Sequence, residues 1–92
     1  MIFEYDSTKS TSNKVKHGID FEEARLVWDD EHLTIIPANS GPEPRFAAIG
    51  RARGKLWTVI FTPRGDSIRL ISARHSRPKE TIHYEQGQKN QR

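Results

Sequence analysis

Four arginines in the second half of the chain could together bind a phosphate group. A guanidinium keeps its charge, and its rigid fork matches two phosphate oxygens. Arg45, Arg69 and Arg74 lie on predicted strands, and Arg77 begins the last predicted helix. Arg69 and Arg74 would lie on opposite faces of a regular strand, so they reach one cleft only if a bulge or the strand end intervenes. We favour Arg74 for phosphate contact; the alternative for each residue is an ordinary surface arginine.

Lys16 and His17 are the candidates for proton transfer. A histidine, or a lysine in a suitable environment, can exchange a proton near neutral pH. The same two residues precede Gly18, so they also fit a helix end, where cations complement the helix dipole. The four histidines show no spacing typical of metal ligands, and no cysteine is present. We therefore expect neither a metal centre nor a disulfide.

The elements that must position these residues indicate an α+β domain. Residues 1–5 alternate in polarity and predict a strand, and Asp6 can cap a helix over residues 7–16. Asp20 and Glu23 form a capping-box pattern at the start of a second helix. This helix ends at three acidic residues, 29–31, which is unfavourable because the C-terminal end of the helix dipole is negative. Trp28 and Trp57 are assigned to the core.

An antiparallel meander of three or four strands should follow these two helices. The predicted strands are residues 32–36, 45–51, 56–62 and 67–74, with Pro37 ending the first of them. Residues 38–44 read as a loop. Ser76 should cap a last helix that reaches about Gln86, before Gly87. We expect one domain over residues 1–87 and a frayed polar tail over 88–92.

Composition indicates a small cytoplasmic domain with an uneven charge distribution. The 92 residues suffice for one domain with a thin core, and the N-terminus resembles no signal peptide. Residues 1–44 contain four Lys/Arg against nine Asp/Glu, whereas residues 45–92 contain eleven against three. This asymmetry favours one face for a polyanion and another for a different partner. The alternative is that the charges only solvate an exposed sheet.

Several segments, taken together in order and spacing, resemble the BrnT-type toxins. The resemblance covers about residues 2–85, with local departures at Trp28, Glu31 and Pro78. The matching segments are Phe3-Glu4-Tyr5-Asp6, Lys9, Asn13, Lys16-His17-Gly18, Phe21-Glu22-Glu23-Ala24, Asp29-Asp30, Glu43-Pro44-Arg45-Phe46, Ile49-Gly50, Thr62, Arg64-Gly65-Asp66, Ile68 to Arg74, Arg77, Glu80 and Tyr84-Glu85.

This resemblance implies a RelE-like fold and the toxin role in a type II toxin–antitoxin pair. The expected activity is metal-independent RNA cleavage by 2′-OH attack, which would inhibit translation without a cofactor. The expected partner is a BrnA-like ribbon-helix-helix antitoxin, in a heterotetramer that binds operator DNA through the antitoxin. The expected catalytic residues are His17, Arg45, Arg74 and Arg77. The expected RNA-binding residues are Lys16, Arg51, Arg69 and Tyr84, although Tyr84 could instead pack against the sheet.

Two other functions compete with the ribonuclease interpretation. The first two helices could imitate a helix-turn-helix DNA-binding module, but the second of them is acidic, and a DNA backbone would repel it. The chain could also be an interaction module without catalysis. Cleavage of RNA in EDTA would distinguish the ribonuclease from both alternatives.

Overall fold

The computed structural model describes residues 1–38 and 41–90 and confirms the α+β class. Its strands form one mixed sheet in the order β1-β5-β4-β3-β2, in which β1 runs parallel to β5 and the other neighbours are antiparallel. The elements are β1 (Ile2–Glu4), α1 (Ser7–His17), α2 (Phe21–Ala24) with a 3₁₀ segment (Arg25–Asp29), β2 (Thr34–Ala38), β3 (Arg45–Ala52), β4 (Lys55–Arg64), β5 (Ser67–His75) and α3 (Pro78–Asn90).

The first two helices start where the sequence predicts. The carboxylate of Asp6 accepts a hydrogen bond of 3.0 Å from the Lys9 N–H at the start of α1. Gly18 ends that helix with φ of 82°, in the left-handed region that glycine tolerates best. Asp20 and Glu23 form the predicted reciprocal capping box at α2. Bonds within a few residues therefore set both ends of α1 and the start of α2.

The core lies between the sheet and the layer made by α1, α2 and the 3₁₀ segment. Gly50 on β3 allows the 3₁₀ segment to approach closely, because a Cβ there would lie 2.9 Å from the Val27 carbonyl oxygen. Trp28 packs edge-on against Phe61. The buried apolar cluster consists of Ile19, Phe21, Ala24, Val27, Ala48, Ala52, Trp57, Val59, Phe61, Leu70 and Ala73. The opposite face of the sheet is covered in part by α3, which contacts β2 and β3.

Two predicted ends are wrong because tertiary context overrides the local signal. Pro37 does not end β2 but lies within it, paired with Phe46. Since β2 is an edge strand, a proline there removes no ladder hydrogen bond that the sheet needs. Gly87 does not end α3, which continues to Asn90. The predicted loop over 38–44 lies partly outside the described residues.

The start of α3 also differs from the prediction. The helix begins at Pro78, and the Thr81 N–H donates to the Arg77 carbonyl over 3.0 Å, so Arg77 rather than Ser76 occupies the cap position. Proline at the first helical position is favoured because its missing N–H would have had no helical partner. Ser76 instead exchanges a hydroxyl hydrogen bond with Thr58 over 2.8 Å. None of the described helices is long and apolar enough to cross a bilayer.

The contacts of Asp30 explain why an acidic residue lies at the end of the second helix, where the helix dipole is unfavourable to it. The helix tightens into 3₁₀ geometry, and the Asp30 carboxylate accepts hydrogen bonds from the N–H groups of His32 (2.8 Å) and Arg51 (2.7 Å) and from the Tyr84 hydroxyl (2.6 Å). Burial opposes ionisation of Asp30, but these bonds outweigh it and lower the pKa of the carboxyl. One acidic residue therefore ties the turn before β2 to β3 and α3.

Candidate functional site

A β-bulge in β5 places Arg69 and Arg74 on the same face of the sheet. Arg69 pairs with Thr62 and Arg74 with Thr58, and the register shifts between these pairs, so Ile71 has no partner on β4. The extra residue reverses the alternation that would otherwise separate the two arginines. The bulge that the sequence argument required is present, and both side chains point to the face opposite α1.

A groove of about 400 Å³ opens on this face, beside the first turn of α3. Three of the predicted catalytic residues line it: Arg45 from β3, Arg74 from β5 and Arg77 from the residue before α3. The other lining residues are Ile36, Pro37, Ala38, Ala47, Ile60, Ile71, Ser72 and Glu80. Three guanidinium groups and one carboxylate leave the groove with net positive charge, on an apolar floor.

Arg74 is held by Glu80 in a bidentate ion pair. Its two terminal nitrogens lie 2.8 and 2.9 Å from the two carboxylate oxygens, and the side chains are only 20% and 13% exposed. Glu80 also accepts hydrogen bonds from the Arg77 N–H (2.7 Å) and the Thr58 hydroxyl (3.0 Å). The fork of Arg74 is thus already occupied, and Glu80 connects β4, β5 and the start of α3.

These bonds lower the pKa of Glu80 from 4.5 to about 2, with the hydrogen bond from Arg74 as the largest cause. Burial acts in the opposite direction, while the Arg77 N–H and the Thr58 hydroxyl add to the lowering. The same pairing raises the pKa of Arg74. Glu80 is therefore ionised throughout the physiological range and is a weak base, which suits positioning better than proton transfer.

The low pKa of Glu80 should make the domain sensitive to acid. Its ionisation stabilises the fold above pH 4.5, and about 3 kcal/mol of this stabilisation should be lost as pH falls from 4.5 to about 2. Urea unfolding at several pH values would show a steeper loss in the wild type than in Glu80→Gln, which is less stable at neutral pH. Glu85→Gln, which changes an exposed carboxylate on α3, should follow the wild type. Identical acid profiles for all three proteins would contradict this role.

Arg45 and Arg77 have unoccupied guanidinium groups. The buried Nε of Arg45 has no hydrogen-bond partner among the described residues, and neither arginine has a carboxylate partner in that part of the chain. A buried charged donor without a partner costs free energy, which an incoming anion would recover. These two arginines are the groups in the groove best able to bind a phosphate.

Lys16 and His17 lie outside the groove, in an adjoining depression of about 210 Å³ on the α1 side of β5. Ile71 and Ser72 line both cavities, so β5 separates Lys16 and His17 from the arginines of the groove. Nothing in the sequence singled out Ser72, which lines both cavities.

The remaining candidates are not brought into the groove. Arg69 lies 3.6 Å from Glu4 in an ion pair at the β1 end of the face. The guanidinium of Arg51 lies 5.7 Å from the ring centre of Tyr84, at the opposite end of β3 from Arg45. The Tyr84 side chain is packed inside the fold, as the alternative interpretation held. With only 1% exposure, it offers no face for stacking on a base.

Glu80 is the site residue that sequence reasoning missed. Glu80 follows Arg77 by three residues. In a capping box, a glutamate at this spacing accepts a hydrogen bond from the backbone N–H of the cap residue, so the spacing was a usable signal. The pairing of Glu80 with Arg74 depends on the angle between β5 and α3 and gives no local signal. Among the described residues, no group of three or more histidine, aspartate or glutamate side chains is arranged to hold a metal ion.

The fold and the groove define a small α+β domain with a cationic, arginine-lined face suited to a polyanion. The sequence model of the family described as ribonuclease toxin, BrnT, of type II toxin–antitoxin systems matches residues 5–80. The chain belongs to this family of ribonuclease toxins. Membership implies an RNA substrate and an antitoxin partner. A search of curated proteins found no match.

Proposed function

We propose that the chain cleaves RNA without a metal ion, with the scissile phosphate bound between Arg45 and Arg77. The observation that carries this proposal is the pair of unoccupied guanidinium groups in one groove, one of them with a buried, unpartnered Nε. A ribose 2′-oxygen attacks the adjacent phosphorus, and the bond from phosphorus to the 5′-oxygen breaks. The products are a 2′,3′-cyclic phosphate and a free 5′-hydroxyl.

Arg45 and Arg77 supply the positive charge that this reaction needs. The phosphorane gains negative charge in the transition state, and preorganised cations stabilise it more than the ground state. Arg74 acts as a positioning residue: its ion pair with Glu80 fixes the start of α3 and with it the place of Arg77. A carboxylate beside Arg74 also moderates the positive field, so phosphate binds preferentially on the Arg45 side.

No histidine lines the groove among the described residues, and His17 lies across β5 from it. His17 can take the proton from the 2′-hydroxyl, or return one to the departing 5′-oxygen, only if the bound RNA brings that oxygen over Ser72 to the α1 side. Lys16 contacts a neighbouring phosphate from the same depression. Both roles rest on the shared lining of the two cavities rather than on direct contact with the arginines.

Cleavage of RNA in EDTA tests the proposed chemistry. The purified chain should cut an RNA substrate in excess EDTA and leave cyclic phosphate ends, detectable by mass spectrometry. A single 2′-deoxy nucleotide at the cut site should abolish that cut and no other. Activity that disappears in EDTA and returns with Mg²⁺ would refute the metal-independent mechanism, and salt-dependent binding without any cutting would favour a non-catalytic module.

The same groove explains how an antitoxin could inhibit the toxin. In this proposal a ribbon-helix-helix antitoxin of the BrnA type covers the groove with an acidic segment, and the pair assembles in the cytoplasm as a heterotetramer that binds operator DNA. An antitoxin that binds the folded toxin but not the unfolded chain should raise the melting temperature of the toxin by mass action. An unchanged melting temperature with saturating antitoxin would count against this interface.

A further inference from the structure

A second row of cationic side chains lies on α1, next to the arginine groove. Lys9 and Lys16 are seven residues apart, with Asn13 between them, so all three lie on the helix face that meets β5. Neither lysine has an ion pair among the described residues. Lys14, on the opposite face of α1, is 2.8 Å from Glu23 and is neutralised.

Only the edge of β5 separates this lysine row from the groove. The structure pairs β1 with residues 67–69 of β5, and beyond them the Asn13 amide takes the place of a neighbouring strand. It donates to the Ala73 carbonyl over 2.8 Å and accepts from the Ala73 N–H over 3.2 Å. Ile71, displaced by the bulge, and Ser72 line the cavities on both sides of this edge.

We infer that single-stranded RNA lies across the edge of β5, with flanking phosphates on Lys9 and Lys16. This inference rests on the proposed function, which places the scissile phosphate in the groove. The two lysines span about 10 Å along α1, which allows contacts to more than one phosphate. Ammonium groups bind phosphate as point charges, so this track adds affinity without reading the base sequence.

The path requires a flexible strand. The groove and the lysine row lie on different sides of β5, so the phosphodiester backbone must turn around a single strand of the sheet. A duplex is stiff over this distance, and bending it sharply costs several kcal/mol. A single strand turns without that cost, and the site should therefore prefer it.

Salt dependence of binding tests the lysine track. The probe is a mixed-sequence 12-mer of 2′-O-methyl RNA, which cannot be cleaved, with Kd measured across a range of KCl concentrations. Each lost phosphate contact should lower the slope of log Kd against log salt by about 0.7, so Lys9→Gln/Lys16→Gln should lower it by about 1.4. Lys14→Gln/Lys55→Gln removes the same charge elsewhere and should keep the wild-type slope. A blunt duplex of the same sequence should bind more weakly.

The arginine groove serves as the independent reference. If Arg45→Gln/Arg77→Gln weakens binding while Lys9→Gln/Lys16→Gln has the wild-type slope, the lysine track is refuted and the groove stands. If neither pair changes the slope, the proposed function fails as well. A reduced slope only in Lys14→Gln/Lys55→Gln, or equal binding of the duplex, would also overturn the inference. Melting temperatures confirm that each variant is folded.

Discussion

Replacing Arg77 with glutamine should lower the rate of RNA cleavage by about 10²- to 10³-fold without changing the melting temperature. The guanidinium lines the groove, is exposed, and has no carboxylate partner among the described residues, so the fold does not depend on its charge. The loss of one preorganised donor to a developing oxyanion typically has an effect of this size. Arg45→Gln should reduce cleavage similarly, and it should not destabilise the domain, because its Nε is already without a partner. Single-turnover cleavage of a saturating RNA substrate measures the chemical step directly.

Arg64→Gln is the matched control for both substitutions. This arginine is exposed on β4, 4.0 Å from Glu43, and does not line the groove. Its replacement removes the same charge and should leave the cleavage rate within a factor of about two, since exposed pairs contribute little. Equal rates for Arg77→Gln and Arg64→Gln would show that the groove is not the reaction site. An equal loss in all three variants would indicate general electrostatic attraction instead.

Arg74 is expected to behave differently from its neighbours in the groove. Its replacement leaves the partly buried Glu80 without its cationic partner, and only the Arg77 N–H and the Thr58 hydroxyl still bind the carboxylate, so breaking this pair is costly. A loss of toxicity in Arg74→Ala would therefore mix lost stability with lost catalysis. Arg74, which the sequence favoured for phosphate contact, is therefore a poor position at which to test catalysis by substitution.

The sequence predicted the elements well where the signal is local. Asp6, Gly18 and the Asp20–Glu23 box set the helix boundaries through bonds within a few residues of themselves, and the structure has each of them. Predictions failed where a distant element decides. Pro37 lies within β2, where an edge strand tolerates proline. Arg77 occupies the cap position of α3, and the Ser76 hydroxyl is hydrogen-bonded to Thr58 instead.

The composition of the groove was predictable, but its geometry was not. Arg45, Arg74 and Arg77 were selected from their chemistry and their match to family segments, and the structure brings them together. Whether Arg69 and Arg74 share a face depends on a bulge at Ile71, and no turn residue or glycine in that segment indicates a bulge. The charge of Arg74 is cancelled by a residue on another element, which a charge count along the chain cannot show.

Replacing Asp30 with alanine should destabilise the domain by about 3 kcal/mol. The substitution removes the acceptor for the Tyr84 hydroxyl and for the N–H groups of Arg51 and His32. Bonds to a charged acceptor are strong, and the Tyr84 hydroxyl and the Arg51 N–H would lose this acceptor. Because α3 begins with the residues that complete the groove, cleavage should fall together with stability.

Two controls separate the Asp30 network from its neighbours. Asp29→Ala removes an exposed carboxylate one residue away and should change the free energy of unfolding by less than about 0.5 kcal/mol. Tyr84→Phe removes one bond of the network and should cost about 1–2 kcal/mol. Urea unfolding of the three variants at pH 7 gives this ranking directly. If Asp30→Ala were no more destabilising than Asp29→Ala, the acidic turn would not be what ties α3 to the sheet, and the position of Arg77 would need another explanation.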